Sequence, residues 1–162
     1  MVHDVFVSSS SKDKPTSDAV VARLEARGVR CWVAPRDILP GSDWSESIVA
    51  AIEGARVMVL VFSSNANASP QVKRELDRAV NKGVAILHIR IEDVQPARNL
   101  EYFLGTPHWL DAITPPLERH LDYLAETVKF MLERAEPPPV PATTPLTPPR
   151  RRRPALIAAA AG

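Results

Sequence analysis

Apolar positions along the chain alternate between unbroken short runs and stripes that recur every three or four residues. Val5-Phe6-Val7 is short and wholly apolar, which predicts a central strand with a polar loop, 8–13, at its carboxyl end. Ser17 is the predicted cap of a helix carrying Val20, Val21 and Leu24 on one face, with Gly28 just past its end. Residues 29–34 read as a second strand. After a long polar loop, Ile48, Ala51, Ile52 and Ala55 mark one face of a second helix. Val57-Met58-Val59-Leu60-Val61-Phe62 lacks alternation and fits a parallel strand covered on both faces. Ser69-Pro70 is a cap with proline at the first helical position, and the helix it opens buries Val72, Leu76, Ala79 and Val80 and stops before Gly83. Residues 84–89 are a fourth strand. The segment 91–106 reads as loop plus a short helix over 100–104, and His108-Trp109-Leu110 as a short edge strand. Pro115 and Pro116 begin a last helix with Leu117, Leu121, Leu124, Val128 and Leu132 spaced by three and four.

Strands alternating with amphipathic helices imply βαβ units and a parallel sheet. The expected fold class is α/β: a flavodoxin-like sheet of about five parallel strands with helices on both faces. Residues 1–136 form the predicted domain. From Pro137 the composition changes, with seven prolines among the thirteen residues 137–149, then Arg150-Arg151-Arg152-Arg153 and an apolar run over 155–162. Proline at that density reads as an extended linker or disordered tail. Eight residues cannot cross a bilayer, which takes about 20. Four arginines before an apolar start do match the cytoplasmic side of a membrane helix, so the start of a membrane anchor stands as the alternative.

Composition narrows the function further. Net charge is +1, which gives the whole molecule no case for nucleic-acid binding. The single cysteine, Cys31, cannot form an internal disulfide and fits a reducing, cytoplasmic setting as a buried inert thiol. No basic n-region with a long apolar core precedes Val5, so no secretory signal is visible. There is no Gly-x-Gly-x-x-Gly after the first strand and no Walker-type phosphate loop. The third strand ends in Phe62-Ser63-Ser64, without the aspartate a phospho-accepting receiver needs. His3, His88, His108 and His120 are scattered, so no metal and no resident cofactor are expected. What remains is carboxylates near a crevice.

The stretch with most polar chemistry is the loop between Trp32 and Trp44, which carries Arg36, Asp37 and Asp43 and is broken by Pro35, Pro40 and Gly41. A strand-to-helix loop at the carboxyl edge of an open α/β sheet borders the usual ligand crevice. Asp4-Val5-Phe6-Val7-Ser8 with Ser11-Lys12-Asp13 resembles the opening of a Toll/interleukin receptor (TIR) domain of the bacterial type. Gly28-Val29-Arg30-Cys31-Trp32, Pro35-Arg36-Asp37-Ile38 and Pro40-Gly41 continue the likeness. Trp44, Ile48, Ala51-Ile52, the run Val57–Phe62 and Ser63-Ser64-Asn65 extend it, so that it covers roughly residues 2–134.

The resemblance implies the same flavodoxin-like fold. Many TIR domains cleave NAD, as substrate, at the nicotinamide–ribose bond, and others only assemble with one another or with adaptors. In the enzymes a glutamate at the start of the helix after the long loop is expected to reach the ribose, which maps to Glu46. An oxocarbenium-like centre develops there, as in glycoside hydrolysis, and a carboxylate can stabilise it. Asp43 is the alternative carboxylate. Asp43 followed by Glu46 equally fits a helix cap, and either acid suits the helix dipole. The resemblance puts the nucleotide pocket beside Phe6, Ser8 and Ser9, although Ser9 stands where many members have tyrosine. Trp32 and Trp44 either pack or face the pocket. Arg36 and Asp37 either pair with each other or grip a ligand or a neighbouring subunit. Arg90, Glu92 and Asp93 read as a solvated face.

Three functions follow as expectations. The first is an NAD hydrolase activated by self-association into a homo-oligomer, in signalling or defence. The second is a non-catalytic module that binds other TIR domains in signal transduction or host-signalling interference. The third is a nucleotide binder without turnover. The expected location is cytoplasmic, with anchoring at the cytoplasmic face of a membrane if the tail is the start of a spanning helix.

Overall fold

A computed structural model describes residues 2–104 and 109–134 of the chain. The predicted tail, 137–162, and His108 lie outside the described residues. Five strands, β1 (Val5–Ser8), β2 (Cys31–Trp32), β3 (Val57–Phe62), β4 (Ala85–Arg90) and β5 (Trp109–Asp111), form one parallel sheet in the order β2-β1-β3-β4-β5. The helices are α1 (Lys14–Ala26), α2 (Trp44–Glu53), α3 (Ser64–Asn67), α4 (Pro70–Asn81), α5 (Arg98–Leu104) and α6 (Leu117–Arg134). The expected flavodoxin-like architecture is present.

Period-two alternation along the strands builds two cores. Val5, Val7, Val59, Val61, Leu87 and Ile89 pack with α1 and α6 on one face. Phe6, Met58, Leu60 and Phe62 pack with α2, α4 and α5 on the other. All six residues of β3 are buried, as a strand covered on both faces requires. Helix α2 starts where Asp43 accepts a hydrogen bond from the Glu46 N–H at 2.9 Å. Likewise, Ser69 caps α4 through the Val72 N–H.

Four local expectations are corrected. Ser17 does not cap α1: the helix begins at Lys14 with Pro15 in its first turn, and Ser17 lies buried within it. The second strand is two residues long rather than six. Its continuation is claimed by the loop, because the Val33 N–H donates to the Asp37 carboxylate at 2.9 Å and the Val33 carbonyl accepts from the Asp37 N–H at 3.0 Å. In α4, Val80 is exposed, and the buried stripe is Val72, Glu75, Leu76 and Ala79. Pro115 and Pro116 precede α6, which starts at Leu117.

Asp4 staples the start of β1 to the strand beside it. Its carboxylate accepts from the Arg30 guanidinium at 3.1 and 3.2 Å and from the Arg30 backbone N–H at 3.3 Å. Burial works against ionisation of Asp4, but those hydrogen bonds and the charges of Arg30 and Arg56 outweigh it and hold the carboxyl below its ordinary range. A depressed folded pKa gives stability that is present above the unfolded value and lost as the pH falls through the folded one. Asp4→Asn is therefore expected to lower stability at neutral pH and to lose that deficit in strong acid. Urea denaturation of both proteins at pH 7 and in acid checks it; a deficit of equal size at both pH values would refute the ionic account.

Candidate functional site

In the order β2-β1-β3-β4-β5 the chain turns from one side of β1 to the other, so the crevice of the fold opens at the carboxyl ends of β1 and β3. A cavity of about 280 Å³ lies there. Phe6, Ser9 and Ser10 from β1 and its loop, Ser17 from α1, Pro35 from the long loop, Trp44 from α2 and Gln71 and Glu75 from α4 line it. These five segments converge because parallel strands all end at one edge of the sheet and the connections to the following helices start there.

The group at its centre is one that the sequence pattern did not single out. Glu75 is buried, and its two carboxyl oxygens accept from the Ser8 hydroxyl at 2.7 Å and the Gln71 amide at 3.0 Å. Burial pushes its pKa up; the hydrogen bonds from Ser8 and Gln71 and the charge of Arg74 offset that only in part. A desolvated carboxyl clamped at the end of a parallel strand is an expensive arrangement for stability alone. Nearby, Ser17 is buried and its hydroxyl has no hydrogen-bond partner among the described residues, although it lines the same cavity. The other carboxylate at the cavity, Asp18, is exposed and paired with Lys14 at 2.9 Å.

The structure sorts the sequence-predicted residues into two groups. Phe6, Ser9 and Trp44 line the cavity, and Ser8 touches it through Glu75. Trp44 is 55% exposed at the first position of α2, so it borders the space rather than packing in the core. Glu46 lies two residues further along α2, turned to another face of the helix, exposed, and lines neither this cavity nor the neighbouring one. Asp43 spends its carboxylate on the α2 cap. Trp32 stacks on Phe6 with ring centroids 5.3 Å apart and, with Asp37, lines a separate open depression. Arg36 pairs with Asp37 at 2.9 Å and reaches back to Glu25 of α1 at 2.8 Å, which fastens the long loop to the scaffold. Those two residues are internal braces in this structure.

Trp44, Gln71 and Glu75 also line a second groove, of about 440 Å³, between α2 and α4. Cys31 is buried, and burial above all pushes its thiol up to about 12, which keeps it protonated and inert. Arg90 and Asp111 form an ion pair at 2.7 Å that braces β4 to β5, and the Glu92 carboxylate accepts from Ser64, which ties the loop after β4 to the start of α3. Among the described residues no group of three or more histidine, cysteine or acidic side chains could hold a metal ion, and no helix is long and apolar enough to cross a membrane.

Comparison with known proteins agrees with this architecture. A family model described as TIR domain matches residues 5–124. No curated protein sequence matches the chain. Among solved structures, the TIR domain of the Toll-related receptor TRR-2 from Hydra magnipapillata is similar at 22% identity and a TM-score of 0.67, over 79% of this chain and 99% of that one. A metazoan TIR-STING receptor from C. gigas is similar at 23% identity and a TM-score of 0.60, over 78% of this chain and 40% of that one, so the likeness spans about two fifths of that receptor. A heterodimer of the RPS4 and RRS1 TIR domains is similar at 17% identity and a TM-score of 0.57, over 79% of this chain and 96% of that one.

Proposed function

The chain belongs to the TIR domain family, and on that premise we propose that it hydrolyses NAD at the nicotinamide–ribose bond, with Glu75 as the carboxylate beside the reacting carbon. The observation that carries this reading is the buried Glu75 carboxyl, held by Ser8 and Gln71 at the head of a cavity bordered by an exposed tryptophan. We assign the role to Glu75 rather than to Glu46, because Glu46 lies outside the cavity while Glu75 lines it.

The reaction asks little of general acid chemistry. The electron pair of the breaking C–N bond goes to the ring nitrogen of nicotinamide, which leaves neutral, and positive charge develops on the ribose. Water adds to that carbon and loses a proton, giving ADP-ribose. A carboxylate in low dielectric attracts the developing cation far more strongly than one in water, and Glu75 is fixed by two donors before substrate arrives. The Ser17 hydroxyl, buried and without a hydrogen-bond partner among the described residues, lines the same cavity and would bond a ribose hydroxyl. The exposed Trp44 ring borders the cavity on its solvent side.

One feature supports the second reading, a module that binds other TIR domains. The long loop is braced by Arg36, Asp37 and Glu25 yet presents Leu39 at 72% exposure, and a loop fixed on a rigid scaffold suits a protein-contact surface. Self-association through such a surface also fits an enzyme that is active only when assembled. The deciding experiment is nicotinamide release from NAD by the full 162-residue chain over a range of protein concentrations. Release that rises faster than linearly with concentration is the expected result, and Glu46→Gln is expected to leave the rate unchanged. No release at any concentration, including those at which the protein oligomerises, would make the binding module the function.

A further inference from the structure

The groove between α2 and α4 has walls of different chemistry. From α2, Ile48, Val49 and Ile52 supply an apolar side. From α4, Arg74, Arg78 and Asn81 supply a polar one that carries two cations, and Asp77 adds a carboxylate to it. These α4 residues recur at three- and four-residue steps along the helix, so they share one face with Gln71. At the near end the groove shares Trp44, Gln71 and Glu75 with the cavity described above. At the far end Arg78 is held by Glu53 at 3.5 Å. Arg74 has no hydrogen bond or ion pair among the described residues, and its charge reaches Glu75. A guanidinium left unpaired between a buried carboxyl and an apolar wall is arranged for an anion that arrives with the ligand.

The geometry points to the α2–α4 groove as the binding site for the diphosphate and distal nucleoside of the substrate, with Arg74 bonding the diphosphate and the Ile48–Val49 wall covering the planar base. This rests on the proposed reaction at Glu75, and it adds which part of the dinucleotide is recognised and by which residues. At about 440 Å³ the groove falls within the range of small-molecule sites and sets an apolar wall against a polar one. Its joint with the cavity at Trp44 lets one ligand occupy both, with the ribose carbon that reacts on the Glu75 side. Trp44 then stands at the elbow between the two halves. Affinity would come from the half of the molecule that does not react, which is how binding energy far from the reacting bond serves a transition state.

The test uses two probes and two variants of the full chain. ADP-ribose keeps the diphosphate and distal nucleoside and lacks the scissile bond, so its binding, measured by titration calorimetry, reports the groove whether or not the chain turns over NAD. Arg74→Glu is expected to weaken ADP-ribose binding by about tenfold or more, as loss of a charge-assisted bond to phosphate should, and Arg74→Lys by much less. Both substitutions lie on an exposed helix position, where folding tolerates them. In the kinetic arm, Arg74→Glu is expected to raise KM for NAD by a larger factor than it lowers kcat. Cleavage of nicotinamide riboside, which has the same scissile bond and no phosphate, should fall less than cleavage of NAD, and only because the Arg74 charge also reaches Glu75. Equal ADP-ribose binding by wild type and Arg74→Glu would overturn the inference, and so would its failure to bind wild type. An equal fall in cleavage of nicotinamide riboside and of NAD in Arg74→Glu would overturn it too, by confining the effect of Arg74 to Glu75 and the reacting centre. Should NAD cleavage be absent altogether, ADP-ribose binding that depends on Arg74 still upholds the groove while the hydrolase reading falls.

Discussion

Glu75→Gln is expected to lower nicotinamide release by about 100- to 1,000-fold, the usual loss when one preorganised electrostatic group is removed from a reacting centre. It is also expected to leave the protein folded and no less stable at neutral pH. Both halves follow from the same burial. The Glu75 carboxyl is raised above its ordinary pKa, so between the ordinary and raised values the folded chain holds a proton that the unfolded chain has lost. Stability from this group is therefore complete below the ordinary value and declines as the pH rises through the raised one. An amide carries no charge to desolvate, and glutamine keeps an oxygen for the Ser8 hydroxyl at the 2.7 Å contact. The Gln71 side chain can turn its own carbonyl to the new amide. The wild-type rate is expected to fall in acid through a pKa above the usual glutamate range, since the ionised form does the work. Nicotinamide release against pH, beside urea denaturation of both proteins, checks the prediction. Full activity in Glu75→Gln would remove Glu75 from the chemistry.

Most of the architecture is legible in the residue pattern, whereas the centre of the site is not. β3 announces itself because six apolar residues in a row fit only a strand covered on both sides. The start of α2 is equally plain, since Asp43 stands where a cap is needed and no apolar neighbour competes for it. Glu75 is hidden because a periodic reading treats an acid as solvent-facing. Its place on the stripe, three residues after Val72 and four before Ala79, was the available signal. Giving that stripe to Val80 concealed it, and no local pattern links Glu75 to Ser8, 67 residues away. The shortened β2 has a similar cause. Asp37 takes the Val33 N–H from outside the strand, a competition invisible in an apolar run that continues through Val33 and Ala34. At α1, Pro15 was the better guide than Ser17, because proline suits the first turn and a serine hydroxyl can sit buried at a ligand cavity. Glu46 stands out by its position after the long loop, but two residues past Trp44 the helix has turned about 200°, and its side chain does not line the crevice.

Phe6→Ala is expected to cost about 3–5 kcal/mol, the usual loss for truncating a buried aromatic side chain. Against a total stability of about 5–15 kcal/mol for a domain of this kind, that is a large share. Phe6 is 1% exposed, sits in β1 between β2 and β3, and stacks on Trp32 at an interplanar angle of 12°. The same ring is part of the cavity wall, so the vacancy opens toward the site, and water can enter where the reaction needs low dielectric. Thermal unfolding should shift down by on the order of 10 °C, and nicotinamide release should fall even at temperatures where the variant is folded. Phe6→Leu separates the two effects. It keeps most of the buried volume and forfeits the stacking, worth about 0.5–1.5 kcal/mol, so it should stay folded at assay temperature and retain most of the activity. Scanning calorimetry beside the release assay distinguishes the cases. If Phe6→Leu were as inactive as Phe6→Ala while remaining folded, the aromatic face itself would have to contact the substrate, and the role of the ring as an apolar wall would be wrong. At position 75 chemistry and stability pull apart, because a buried acid costs the fold and serves the reaction. At position 6 they move together, because one ring closes the core on one side and the cavity on the other.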